Sequence, residues 1–137
     1  MGSMRLFLDA NILVSGIAFH GNEHKLLIKN TRTIVFITSE DALDETRKTL
    51  TIKFPNERNL IDTFLKILPL TIIKRKRYVK KLTQCTIVRD TKDKHILVAS
   101  ELSREDYIVT SDADLLSLKI YKNIPIVKAR EVLALLR

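Results

Sequence analysis

The sequence predicts a three-layer α/β/α domain with a central, five-stranded parallel sheet. Short runs that are apolar at nearly every position alternate with stretches of helical periodicity along the 137 residues. Strands of this kind are buried on both faces, as in parallel sheets covered by helices. A hydrophobic fraction of 45%, with three Gly and three Pro, excludes a disordered or low-complexity chain. We interpret residues 4–137 as a single domain and residues 1–3 as an expression scar.

The strands are expected where apolar or β-branched residues occupy nearly every position, because such residues suit a strand buried in a sheet. In chain order these runs are residues 5–8, 33–38, 70–73, 107–110 and 124–127. Each run is followed by polar residues, so the ends of the strands are also indicated.

The helices are expected between the strands, where apolar residues recur every three or four positions. The first begins near residue 11 and the last near residue 129. Between them, side chains able to cap a helix N-terminus mark further starts at Asn22, Ser39, Asn56 and Asp90. Pro55 and Pro69 mark the ends of two helices, since proline cannot continue a helix.

The net charge of +8 is concentrated in one part of the chain, residues 74–81, which we call the basic segment. The rest of the chain has a net charge of only +2. The six cations of the basic segment are Lys74, Arg75, Lys76, Arg77, Lys80 and Lys81. A local excess of positive charge favours binding to a polyanion such as RNA over a general effect on solubility. A solvated basic surface and a docking face for an acidic protein are the alternatives.

Several classes of protein are excluded by what the sequence lacks. No apolar stretch approaches the roughly 18 residues of a membrane span, and the start has no secretory pattern. Cys85 is the single cysteine, which excludes a disulfide framework and a thiolate metal cluster. The three histidines are interpreted as structural or surface residues. We therefore expect a cytoplasmic protein without a membrane contact.

Acidic residues lie near the edge of the sheet where ligands bind in open parallel folds. Asp9 directly follows the first strand and Asp112 closely follows the fourth, while Glu45 and Asp93 lie early in helices. Two carboxylates about 4 Å apart repel by roughly 4 kcal/mol at an effective dielectric near 20. Such a cluster must take up protons or bind a cation, and its oxygen donors favour Mg²⁺ or Mn²⁺ over Zn²⁺.

Each of these acids also has a structural interpretation. Asp9 and Asp112 can cap helices, Asp93 can belong to a capping box, and Glu45 can be a surface residue. The basic segment favours the functional interpretation, because it follows the third strand and so lies at the same edge as Asp9. Cations beside an acidic, metal-holding pocket are typical of a site that cleaves a phosphodiester polymer.

Four segments of the sequence resemble the PIN domain nucleases, and most closely the VapC-like toxins of type II toxin–antitoxin systems. These segments are residues 6–15, 39–50, 90–93 and 108–116. They extend over nearly the whole chain, and their order and spacing carry the resemblance.

The resemblance implies a sheet order of 3-2-1-4-5 and an RNA-cleaving activity that depends on Mg²⁺ or Mn²⁺. It also implies an antitoxin protein as inhibitor and a homodimer. The family's acidic quartet falls on Asp9, Glu45, Asp93 and Asp112. Asp114 matches an auxiliary acid, and Asn11 and Thr110 match polar positions that orient the first and last carboxylates. Ala10 replaces a frequent hydroxyl residue and Ser111 a frequent Gly, but no carboxylate is lost.

The predicted function is therefore hydrolysis of RNA by metal-activated water, as the toxin of a toxin–antitoxin pair. Asp9, Asp93 and Asp112, with Asp114, are the predicted metal ligands, and Glu45 is an outer ligand or orients the water. The alternative is an inactive RNA- or protein-binding module of the same fold. An aspartyl phosphatase would need a second acid two residues after Asp9, and a receiver domain would need an acidic pair there.

Overall fold

Six strands form one sheet in the computed structural model, which describes residues 3–29 and 32–136. The strands are β1 (Met4–Leu8), β2 (Ile34–Ser39), β3 (Leu70–Ile73), β4 (Tyr107–Val109), β5 (Ile120–Tyr121) and β6 (Ile124–Val127). Two residues of the expected expression scar and the last residue of the expected domain lie outside the described residues.

The strand order is β3-β2-β1-β4-β6-β5. All neighbours are parallel except β5, which pairs antiparallel with β6. The five predicted strands and the order implied by the resemblance are thus confirmed, with β6 as the expected fifth strand. The additional strand β5 has only two residues, too few for a periodic pattern. It pairs with β6 through a tight turn in which Lys122 and Asn123 adopt positive φ angles of 46° and 70°; Lys119, with a φ of 63°, ends the preceding helix just before β5.

Helices connect the strands and cover both faces of the sheet. They are α1 (Ala10–Ala18), α2 (Asn22–Leu27), α3 (Glu40–Lys53), α4 (Arg58–Ile67), α5 (Arg75–Tyr78), α6 (Thr91–Glu101), α7 (Ala113–Leu118) and α8 (Ala129–Leu135). Short 3₁₀ helices precede α4 (Pro55–Glu57) and follow α5 (Val79–Gln84). Within the described residues, no helix has both the length and the apolar composition needed to cross a membrane.

The side chains of β1 alternate between two hydrophobic clusters, as expected for a strand with helices on both faces. Leu6 and Leu8 pack in a cluster with residues of α1, α2 and α8. Phe7 points to the opposite face and packs in a cluster with residues of α6 and α7. Because all three side chains are fully buried, β1 is fixed in the middle of the three layers.

The pairing of β1 with β4 aligns the ends of these two strands. Leu8 lies opposite Val109 in the parallel register, and the backbone N–H of Asp9 donates to the carbonyl oxygen of Val109 at 3.1 Å. Asp9 and Thr110 therefore emerge side by side at the carboxyl edge of the sheet.

Candidate active site

Asp9 is buried at the end of β1 and does not cap the helix that follows it. The residue is 4% exposed, and its side chain makes no hydrogen bond that caps α1. Its Oδ2 accepts a hydrogen bond from the Thr110 hydroxyl at 2.6 Å. Burial, with smaller contributions from the charges of Glu45 and Asp112, raises the pKa of Asp9 to about 6 despite the hydrogen bond from Thr110. A structural role as a helix cap therefore does not account for this carboxylate.

Thr110 links the carboxylate of Asp9 to the backbone of Asp112. Its hydroxyl donates to Asp9 and accepts a hydrogen bond from the backbone N–H of Asp112 at 3.1 Å. Thr110 is fully buried, so its rotamer is held by packing as well as by these bonds. Asn11, the other polar residue expected to assist, is exposed in the first turn of α1.

Asp93 and Asp112 approach each other from the first turn of α6 and the start of α7. Asp112 also caps α7, since its Oδ1 accepts a hydrogen bond from the backbone N–H of Asp114 at 3.3 Å. Burial, a hydrogen bond with Asp112, and the charges of Asp112, Asp90 and Asp9 raise the pKa of Asp93 well above its usual range. Two carboxyl groups this close share a proton unless a cation lies between them.

Glu45 reaches the site from the second turn of α3. Together with Asp9 it lines a cleft of about 330 Å³ whose other walls include Lys92 and His95 of α6. Its Oε1 lies 2.6 Å from Nζ of Lys92, whose side chain is 74% exposed. Exposed ion pairs contribute only about 0–1 kcal/mol, so this lysine is easily displaced from Glu45.

The four acids of the predicted quartet are thus arranged as two pairs. Asp93 contacts Asp112, whereas Asp9 and Glu45 face the same cleft. No three His, Cys, Asp or Glu side chains in the described part of the chain are already placed as ligands of one metal ion. Asp114, the expected auxiliary acid, is exposed in the first turn of α7.

The basic segment begins at the end of β3 and forms α5 and the 3₁₀ helix after it. Arg75 is engaged within the fold, since its backbone N–H donates to Glu40 Oε1 at 2.8 Å and its guanidinium donates to Asp41 Oδ1 at 2.6 Å. The remaining cations of the segment are exposed and are Lys74, Lys76, Arg77, Lys80 and Lys81.

Asp41 and His95 were not identified as functional residues from the sequence, although both line the cleft. Asp41 binds His95, Arg75 and Tyr78 through its two carboxylate oxygens. The partners lie 54, 34 and 37 positions away in the sequence. No local pattern marks such contacts, and only the fold reveals them.

These features define a three-layer α/β protein with buried carboxylates at the carboxyl edge of a parallel sheet. Residues 5–114 match the PIN domain family. The chain belongs to the PIN domain family, which is a family of nucleases.

Solved structures show the same fold at low sequence identity. One is a chain of the VapBC2 complex from Rickettsia felis, bound to a DNA fragment from its promoter. It has a TM-score of 0.64 and 17% identity, over 91% of this chain and 98% of that one. Another is VapC20 of Mycobacterium tuberculosis, a toxin that cleaves the sarcin–ricin loop. It has a TM-score of 0.61 and 13% identity, over 88% of this chain and 98% of that one. Among curated proteins, no sequence matches significantly.

Proposed function

We propose that the protein is a ribonuclease that depends on Mg²⁺ or Mn²⁺ and acts as the toxin of a toxin–antitoxin pair. The observation that carries this proposal is that Asp9, Asp93 and Asp112 lie within electrostatic reach of one another at one edge of the sheet. Within residues 3–29 and 32–136, none of the three forms an ion pair with Lys or Arg. Lys92 lies within electrostatic reach of Asp9, but its ion pair is with Glu45.

The residues at this edge fit a hard divalent cation. Their donors are carboxylate oxygens, which Mg²⁺ and Mn²⁺ prefer. Burial, and after it the charges of neighbouring carboxylates, raises the pKa values of Asp9 and Asp93, so protons occupy these groups more readily in the absence of metal. Asp9, Asp93 and Asp112 are the proposed ligands. Because Asp114 is exposed, we propose that it contacts the cation only indirectly.

In the proposed reaction, Thr110 holds the carboxylate of Asp9 and the backbone of Asp112 in fixed positions through its hydroxyl group. When bound, the cation supplies a water of lowered pKa and neutralises charge on the scissile phosphate. Glu45, once released from Lys92, accepts a hydrogen bond from the attacking water and orients it for in-line attack. The exposed cations of the basic segment bind the flanking phosphates. The products carry a 5′-phosphate and a 3′-hydroxyl.

The toxin role is supported by the fold shared with the two VapC structures. One of them lies in a complex of VapB with VapC, and the other is a toxin that cleaves an RNA loop. We propose by analogy that this chain cleaves RNA, that a cognate antitoxin inhibits it, and that it acts in the cytoplasm as a homodimer of single-domain subunits.

Cleavage of single-stranded RNA tests the proposal. We expect the wild-type protein to cut RNA with Mn²⁺ and not with EDTA. Substitutions next to the ligands of a metal site typically lower activity about 10- to 100-fold. Asp9→Asn removes a proposed ligand, so it should lower the cleavage rate further than that. Asp62→Asn, on α4, is the control and should retain activity. Undiminished cleavage by Asp9→Asn contradicts the assignment.

An inactive RNA-binding module is the second candidate. It is favoured by the ion pair of Glu45 with Lys92, which neutralises one acid of the quartet without metal. RNA binding by the wild-type protein with no cleavage in Mn²⁺ would support this candidate against the ribonuclease.

A further inference from the structure

Asp41 is the acceptor at the centre of a hydrogen-bonded cluster beside the cleft. We use the name Asp41 cluster for Asp41, Arg75, Tyr78 and His95. Asp41 Oδ1 accepts from the Arg75 guanidinium at 2.6 Å, and Oδ2 accepts from the Tyr78 hydroxyl and lies 2.6 Å from His95 Nδ1. An ionised carboxylate can only accept, which assigns the donor proton of this last bond to Nδ1 of His95.

The cluster is well ordered by packing and by charge. Tyr78 is fully buried, and its ring contacts the His95 ring edge-on, with centroids 5.9 Å apart. Burial alone would raise the pKa of Asp41, but the hydrogen bonds from Tyr78 and Arg75 and the charge of His95 outweigh it and lower the pKa. Asp41 is therefore an ionised acceptor, and hydrogen bonds to ionised groups are about twice as strong as neutral ones.

The cluster joins the elements that present the proposed site. Asp41 lies one helical turn before Glu45 on α3, so the two side chains share a face of the helix. His95 lies two residues after Asp93 on α6. Asp41, Glu45 and His95 all line the cleft. The other polar link between these two helices in the described residues, Lys92 with Glu45, is exposed and therefore weak.

We propose that Asp41 and His95 are positioning residues for the reaction. Their hydrogen bond fixes the distance between α3 and α6 and so holds Glu45 opposite Asp93. His95 acts by donating the Nδ1 proton to Asp41, and neither of its ring nitrogens exchanges a proton with the substrate. This inference rests on the proposed ribonuclease function. A displacement of about 1 Å at a reacting group costs up to about 100-fold in rate, so the bond matters even though neither residue touches the substrate.

Two substitutions of His95 separate a positioning role from a catalytic one. Asn places an amide donor close to the position of Nδ1, whereas Ala removes the donor. Relative to wild type, His95→Ala should lower kcat at least about tenfold with KM changed less than about twofold, because substrate contacts are untouched. His95→Asn should recover most of kcat. Mn²⁺ affinity, measured by calorimetry without RNA, should fall in the Ala variant and recover in the Asn variant.

Asp41→Ala provides a second, independent variant, since it removes Oδ2, the atom that accepts from Tyr78 and from His95. Two residues that act through one bond are non-additive, so the double variant with His95→Ala should lose no more kcat than either single variant. His20→Ala is the matched control, because this histidine lies outside the cleft. Thermal unfolding of each variant shows that it is folded under the assay conditions.

Three results would overturn the inference. They are unchanged kcat and Mn²⁺ affinity in His95→Ala, equal loss in His95→Asn and His95→Ala, or additive losses in the double variant. Equal loss in the two His95 variants would instead assign chemistry to the imidazole ring. A wild-type protein that neither cleaves RNA nor binds Mn²⁺ refutes the proposed function itself, which distinguishes the two failures.

Discussion

Asp9 shows how a single residue favours function at the expense of stability. A carboxylate buried among apolar side chains destabilises the folded state unless it is compensated. Thr110 gives it one hydrogen bond, yet burial still raises its pKa to about 6. A residue selected for stability alone at this position would be neutral, which supports a role in binding a cation.

The stability of the metal-free protein should therefore depend on the charge of Asp9. Its pKa is about 6 in the folded protein against an ordinary 3.8. Because the folded state binds this proton more tightly, the corresponding stabilisation is complete below pH 3.8 and is lost as the pH rises through 6. At pH 7.5 the ionised side chain should cost up to roughly 3 kcal/mol, at 1.36 kcal/mol for each pKa unit.

Asp9→Asn removes this ionisation and keeps the size of the side chain. We expect urea unfolding in EDTA to show the variant more stable than the wild-type protein at pH 7.5, with the difference shrinking towards pH 4. A stability difference that is the same at every pH would contradict the raised pKa of Asp9.

At the residue scale, the sequence identifies acids that adjoin a strand but not their partners. Asp9 follows an apolar run directly, Asp112 follows another after Ser111, and parallel pairing brings such ends together. The contacts of Asp41 with His95, and of Glu45 with Lys92, depend on how α3 packs against α6. Packing of this kind leaves no pattern in either helix.

The basic segment is the element whose function is least determined by its own sequence. Six clustered cations indicate polyanion binding, but Arg75 is engaged by Glu40 and Asp41. Its side chain is half exposed, but its ion pair with Asp41 links α5 to α3. The exposed members of the segment are the ones available to phosphates.

Charge neutralisation in the basic segment should reduce the salt dependence of RNA binding. The variants are made in an Asp9→Asn background to prevent cleavage. Each phosphate contact with a single strand contributes about 0.7 to the slope of log Kd against log salt. We therefore expect the double variant Lys76→Gln with Arg77→Gln to reduce that slope by about 1.4. Lys53→Gln with Lys66→Gln, on α3 and α4, is the matched control. Equal slopes for the two double variants would assign RNA binding to another surface.

The sequence predicts the position of an element well where the element is completely buried. Where burial is partial, it does not show which face of the element is inward. β1 and β2 are apolar at most positions because both of their faces are covered. On α4, adjacent apolar residues form two stripes, and the sequence does not say which one faces inward. The structure buries Ile61 and Leu65 and leaves Leu60 largely exposed, because the buried pair packs against Val14 of α1 and Leu50 of α3.

For the whole molecule, the order of the strands decides where charge accumulates. With β1 and β4 as neighbours, acids that are about 100 positions apart, Asp9 and Asp112, come within electrostatic reach. Adding Glu45 and Asp93 gives four acids around one edge, of which only Glu45 has a lysine partner among the described residues. The fold thus concentrates negative charge in a protein whose net charge is +8.

Binding of a divalent cation should therefore stabilise the entire fold. A ligand that binds only the folded state stabilises it by about 2.7 kcal/mol at 100 times its Kd, which for a domain of this size raises Tm on the order of 10 °C. We expect Mn²⁺ to raise the Tm of the wild-type protein and of Asp62→Asn, and to raise that of Asp9→Asn far less, with KCl at matched ionic strength as the blank. Equal shifts for all three proteins would mean that Mn²⁺ acts elsewhere on the surface, and the carboxylates at the ends of β1 and β4 would then have no role as its ligands.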